Sequence, residues 1–265
     1  MAGRKKKDRK QRIAAIIAAV LAVAMALSAI AAYAGHLLGR DDPETAGPEQ
    51  QLDAEAYRAH CLKEIERLEK YIEEYGPKAG VLSELCEHYS LLIQIENMGE
   101  KPDEELVQKC EAGLKQRSRD LVELEPDNPE HRLRLLYVYE GAGEDKKVIS
   151  GEIEDLRKIL KKEPNPGISL ALIGFMKSSE QPGKTIDQEI TRLKDHFEKL
   201  AADDQITATD RYYYALLLGD HLEKKPAALK QLDLILETEP PEGELYSAAE
   251  QYRETLKEKE KKTGQ

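Results

Sequence analysis

The dipeptide Glu-Pro occurs at 125–126, 163–164 and 239–240, a step of 38 residues and then of twice 38. Other columns keep the same step. Leu121, Ile159, Phe197 and Ile235 form one; Tyr137, Phe175 and Tyr213 a second; Val138, Met176, Tyr214 and Tyr252 a third. A constant period of this size predicts a row of supersecondary units, each too small to bury its own apolar face and each covered by its neighbours. Period-two runs of β-branched residues are absent, so the expected class is all-α.

Each unit reads as two helices. Asn128-Pro129 and Asn165-Pro166 pair an N-cap residue with a Pro at the first helical position, where its missing N–H costs nothing. These first helices are expected to stop near Gly141-Ala142-Gly143, near Glu180-Gln181-Pro182-Gly183, and after Leu222. Second helices follow over 145–162, 185–201 and 226–238, the middle one opened by a capping box from Thr185 to Gln188. Upstream, three more helices are predicted over 53–75, 79–97 and 103–124, and a final one over 243–262. Residues 212–218 are apolar on every face and so need cover on more than one side.

The unit ending at Pro240 carries Ala228, Leu232, Ile235 and Pro240. In that spacing it resembles the tetratricopeptide repeat (TPR) family, and the likeness extends over roughly residues 77–260. Three features depart from the family. The period is 38 rather than 34, the first helix lacks the Trp and Leu-Gly signature, and Glu152 stands where Ala228 would predict a small side chain. The resemblance implies a right-handed α-solenoid of helix hairpins over residues 53–262, with first helices lining a concave groove that binds protein.

The N-terminal end has a different character. Residues 1–40 sum to a charge of +7 and the remainder to −18, within a total of −11. A basic tail, residues 1–12, precedes the uncharged stretch Ile13 to Ala34, whose 22 residues would span ~33 Å as a helix, the depth of a bilayer core. The expectation is a single-pass transmembrane helix over 13–34 with a cytoplasmic N-terminus, a flexible linker over 35–52, and an extracytoplasmic body. Ala32-Tyr33-Ala34 also fits a signal-peptidase pattern, and cleavage near Ala34 would give a secreted form instead. Ala14, Ala18, Ala22 and Ala26 form a small-residue face that could serve self-association; a plain alanine-rich anchor is the favoured reading.

An acidic body without a basic stripe argues against nucleic acid as a partner. No catalytic, cofactor or metal residue is assigned. His36, His60, His88, His131, His196 and His221 never fall at metal-ligand spacing within one helix, and HExxH and CxxC are missing. Pro182-Gly183-Lys184-Thr185 imitates the end of a phosphate-binding loop, but Ser178 stands where that motif needs Gly. Cys61, Cys86 and Cys110 lie on apolar stripes and read as small buried hydrophobes. The candidate partner-binding residues are Tyr137, Phe175 and Tyr213, presented once per unit; packing between units is the other use for such rings. The function expected is a non-enzymatic membrane-anchored scaffold or assembly factor that binds protein. The alternative is a helical enzyme domain acting on cell-envelope polymers.

Overall fold

A computed structural model describes residues 54–99 and 101–263. The predicted basic tail, membrane span and linker lie outside the described residues. Among the described residues there are ten α-helices and no strand, in a repeat-like succession. None of these helices is long and apolar enough to cross a membrane.

The helices are α1 (Ala54–Tyr75), α2 (Ala79–Met98), α3 (Glu104–Leu124), α4 (Pro129–Ala142), α5 (Lys146–Lys162), α6 (Pro166–Ser178), α7 (Gly183–Ala202), α8 (Ala208–Leu216), α9 (Lys225–Thr238) and α10 (Glu244–Thr263). Their starts follow local chemistry. Asn128 accepts from the Glu130 amide and Asn165 from the Ile168 amide, each just before a Pro. Asp103 caps α3 through the Leu106 amide. Helix α8 opens with a reciprocal capping box between Thr207 and Asp210. Helix α7 begins at Gly183 rather than at Thr185, so the predicted Thr185–Gln188 capping box does not form the start. Pro182 supplies the entry there, with its carbonyl accepting from the Thr185 amide at 2.9 Å.

Helix α4 stops because Gly143 adopts φ 67°, which lets the Glu144 amide reach back to the Tyr139 carbonyl at 2.9 Å. The same closure joins Gln181 to Met176 at 2.9 Å and Gln205 to Leu200 at 2.8 Å. After α8 the chain makes one π-helical turn, Leu217–His221.

The described residues divide into two units, the first ending at Ile159 and the second beginning at Leu160. In the first, a three-residue turn at 76–78 folds α2 back along α1. Arg58 pairs with Glu96 near one end and Arg67 reaches Glu84 near the other, so the two helices run antiparallel. Cys61, Leu68, Leu85, Tyr89, Leu92, Ile93 and Cys110 fill one core cluster, while Leu82, Cys86 and Leu121 fill another. Gly113 on α3 admits the Tyr89 ring, since a Cβ there would stand 2.6 Å from its Cζ. In the second unit Leu172, Ile173, Phe175, Met176, Leu193, Phe197, Leu217, Leu232 and Ile235 are buried, and Phe197 stacks on Tyr214 with centroids 5.1 Å apart.

All four members of the Leu121 column are buried, at 9 % exposure or less. Polar pairs twenty residues apart recur between consecutive helices. They are Tyr89–Glu69 at 2.9 Å, Arg119–Tyr139 at 2.8 Å, Arg132–Glu152 at 2.6 Å, Arg211–Gln231 at 3.1 Å and Arg253–Asp233 at 2.8 Å. In an antiparallel pair each separation marks one depth, so a recurring twenty places these links at similar levels of successive hairpins. Glu152, which stands where Ala228 would predict a small side chain, faces Arg132 across the α4–α5 hairpin.

Two carboxylates are buried but paired. Glu96 accepts from Arg58 and from the Asp103 amide at 3.0 Å, joining α1, α2 and the start of α3. Glu189 accepts from Arg192 Nε at 3.0 Å. Arg192 in turn donates to the Ser169 hydroxyl at 2.9 Å and to the Leu160 carbonyl at 3.0 Å.

Candidate functional site

The three candidate rings sit in different surroundings. Tyr137 on α4 is 8 % exposed and Phe175 on α6 is 1 % exposed, so both lie within the helical packing of their own units. Tyr213 on α8 is half-buried, and its hydroxyl lies so close to Gly167 that a Cβ there would meet it at 3.1 Å. Burial raises the phenols of Tyr137 and Tyr213 above the ordinary tyrosine range. Of the column, Tyr213 alone keeps part of its ring open.

Around Tyr213 the second unit gathers rings that the column did not single out. Tyr212 lies 6.2 Å from Tyr213 and 6.5 Å, edge-on, from Tyr252 on α10, centroid to centroid. Tyr212 and Tyr252 are also half-buried. Burial raises both phenols, and the Asp220 carboxylate adds to the rise. The result is a ledge of three half-buried tyrosines with an acidic neighbour, the Tyr252 hydroxyl lying buried against Gly219. Such rings combine large contact area with few rotamers, and they suit a protein partner. Tyr212 was legible as one of three consecutive tyrosines. Tyr252 was legible only as a member of another column, and its approach to Tyr212 depends on how α10 returns along α8.

Beside this ledge, the Lys177 ammonium donates to His221 Nδ1 at 2.9 Å. The His221 imidazole is held below its ordinary value by burial and by Lys177, against a smaller opposing pull from Asp220. On α7, Lys184, Asp187, Gln188, Thr191, Arg192 and Asp195 line a shallow, open depression of mixed charge. Its polar, open character gives it no means of enclosing a small ligand.

All three cysteines are buried and unbridged. Burial raises each thiol, Cys110 to about 11, so these groups behave as inert core. In the first unit, donor atoms of Glu64, Glu84 and His88 lie within 4.8 Å of one another, and the His60 ring packs edge-on against His88. Arg67 hydrogen-bonds to Glu64 at 2.6 Å and reaches Glu84 at 3.1 Å. The adjacent guanidinium, with smaller help from the two imidazoles, holds the Glu64 carboxyl below its usual range.

No protein family matches this chain, and no characterised protein or solved structure is significantly similar to it. The described residues define an all-helical, repeat-like protein.

Proposed function

We propose that this chain is a membrane-anchored interaction module, a scaffold or assembly factor whose TPR-like helical hairpins bind another protein on the extracytoplasmic side. Residues 13–34 serve as the anchor and the basic tail stays in the cytoplasm. The anchoring half of the reading rests on the cluster of seven basic residues in 4–12 beside 22 uncharged ones.

The binding half rests on one observation. The Leu121 column is buried in hairpin after hairpin, while Tyr212 and Tyr213 of α8 and Tyr252 of α10 stay half-open. The Leu121, Ile159, Phe197 and Ile235 side chains are spent on cohesion, whereas the half-open rings keep surface for a partner. Residues 41–265 carry −18, so a neutral or basic segment is the favoured occupant.

The test is site-specific photocrosslinking in living cells, with a photoreactive residue at Tyr213 and, as buried control, at Phe175. A discrete heteromeric adduct from position 213 alone is the expected result, together with extracytoplasmic activity of a reporter fused to the C-terminus. Equal labelling from both positions, a cytoplasmic C-terminus, or hydrolysis of a glycan or peptide by the purified chain would overturn the reading.

A further inference from the structure

Helix α1 carries His60 and Glu64 four residues apart, and α2 carries Glu84 and His88 with the same spacing in the opposite order. Residues four apart share a helix face. Because the two helices run antiparallel, the mirrored order brings imidazole to imidazole and carboxylate to carboxylate. The rings of His60 and His88 meet edge-on with centroids 5.7 Å apart. Donor atoms of Glu64, Glu84 and His88 fall within 4.8 Å of each other. We propose that His60, Glu64, Glu84 and His88 form a binding site for a divalent transition-metal ion of the zinc type, which clamps α1 to α2.

The donor set fits such an ion. Two imidazole nitrogens and two carboxylates are ligands that zinc accepts at ~2.0–2.2 Å, in a tetrahedron with edges of about 3.3 Å. For Glu64, Glu84 and His88, moving from separations of up to 4.8 Å to that edge needs side-chain rotation, and the His60 ring, 5.7 Å from His88 centroid to centroid, swings in as the fourth ligand. No described residue hydrogen-bonds to either ring, so both keep nitrogens available for ligation. The site is also open to entry, with Glu84 48 % and Glu64 18 % exposed.

Arg67 tells which charge the pocket wants. Its guanidinium bridges the two carboxylates, at 2.6 Å to Glu64 and 3.1 Å to Glu84, and so fills the place of a cation. Its side chain is 53 % exposed, so it can swing into water when an ion arrives. A surface ion pair would explain Arg67 and the carboxylates. It would leave unexplained why two imidazoles are set against each other on the same faces.

The experiment is a titration of the full-length chain in detergent micelles with Co²⁺, read by visible d–d absorption, and with Zn²⁺, read by thermal melting. One equivalent of Co²⁺ should give saturable bands, and Zn²⁺ should raise the melting temperature where Mg²⁺ does not. His60→Ala and Glu84→Gln, both at exposed positions, should weaken Co²⁺ binding by at least the roughly tenfold that loss of even an outer-sphere partner costs. His88→Ala should do the same, with circular dichroism checking that its helices persist; if they do not, the other two variants decide. Arg67→Gln should tighten binding several-fold, because the competing cation is gone. Absence of a saturable signal, a titration unchanged in both His60→Ala and Glu84→Gln, or no tightening in Arg67→Gln would overturn the site.

Discussion

Glu180, Asp204 and Glu223 adopt φ of 56°, 55° and 53°, each just beyond the end of a helical segment. A side chain in left-handed backbone costs about 1 kcal/mol or more, and a carboxylate there also faces the negative end of the helix dipole. Glycine removes both penalties at some cost in unfolded-state entropy. Glu180→Gly and Asp204→Gly should therefore each stabilise the chain by ~0.5–1 kcal/mol, seen as a higher midpoint in urea at unchanged slope. Gly113 is the opposite case. Gly113→Ala would drive a methyl into the Tyr89 ring, and it should destabilise the chain by about 1–3 kcal/mol, seen as a lower urea midpoint.

Titration belongs to the same scale. Burial lowers His221 and His196 below their ordinary value of 6.5, so the folded chain holds neutral rings where the unfolded chain is taking up protons. Stability from these groups is complete above the unfolded value and falls as pH drops from 6.5 toward the depressed native values. Glu64, Glu125 and Glu144 are held low by their ion pairs and neighbours; their contribution disappears in a separate, more acidic window. Melting curves from pH 7.5 to 5.5 should show a falling midpoint, and His196→Gln with His221→Gln should flatten that fall.

At the scale of elements, helices were legible where a short polar residue and a Pro or Gly punctuate the chain. Asn128, Asn165 and Gly143 do what their positions announce. Thr185 did not, because Pro182 sits close enough to the end of α6 to open α7 two residues earlier. The π-helical turn after α8 had no sequence signal, since Leu217 and Leu218 suit an α-helix as well. The His60–Glu64 and Glu84–His88 dyads fall on two helices, so spacing within one helix does not show them; their mirrored order about the turn at 76–78 is the sequence signal. Period and aromatic character do not distinguish a buried Phe175 from a half-open Tyr213. One element-level prediction concerns the buried Glu189. Arg192→Ala removes its cation and strips donors from Ser169 and Leu160, so it should cost about 3–5 kcal/mol, measured by chemical denaturation.

For the whole molecule, both units share a plan: neighbouring helices fold back on one another, polar links twenty residues apart join five of the consecutive helix pairs, and the Leu121 column adds buried side chains to the core. The proposed binding role depends on this plan, because it separates side chains that hold the hairpins from those left for a partner. The direct test is cysteine crosslinking with a short bis-maleimide, after Cys61, Cys86 and Cys110 are replaced by Ala. Cysteine pairs at Arg132/Glu152, Arg211/Gln231 and Asp233/Arg253 should all crosslink. Pairs with one partner moved six residues, ~9 Å along the helix, at Arg132/Lys146 and Arg211/Lys225, should not. Crosslinking of the displaced pairs in preference to those twenty apart would contradict the hairpin plan and the binding reading built on it.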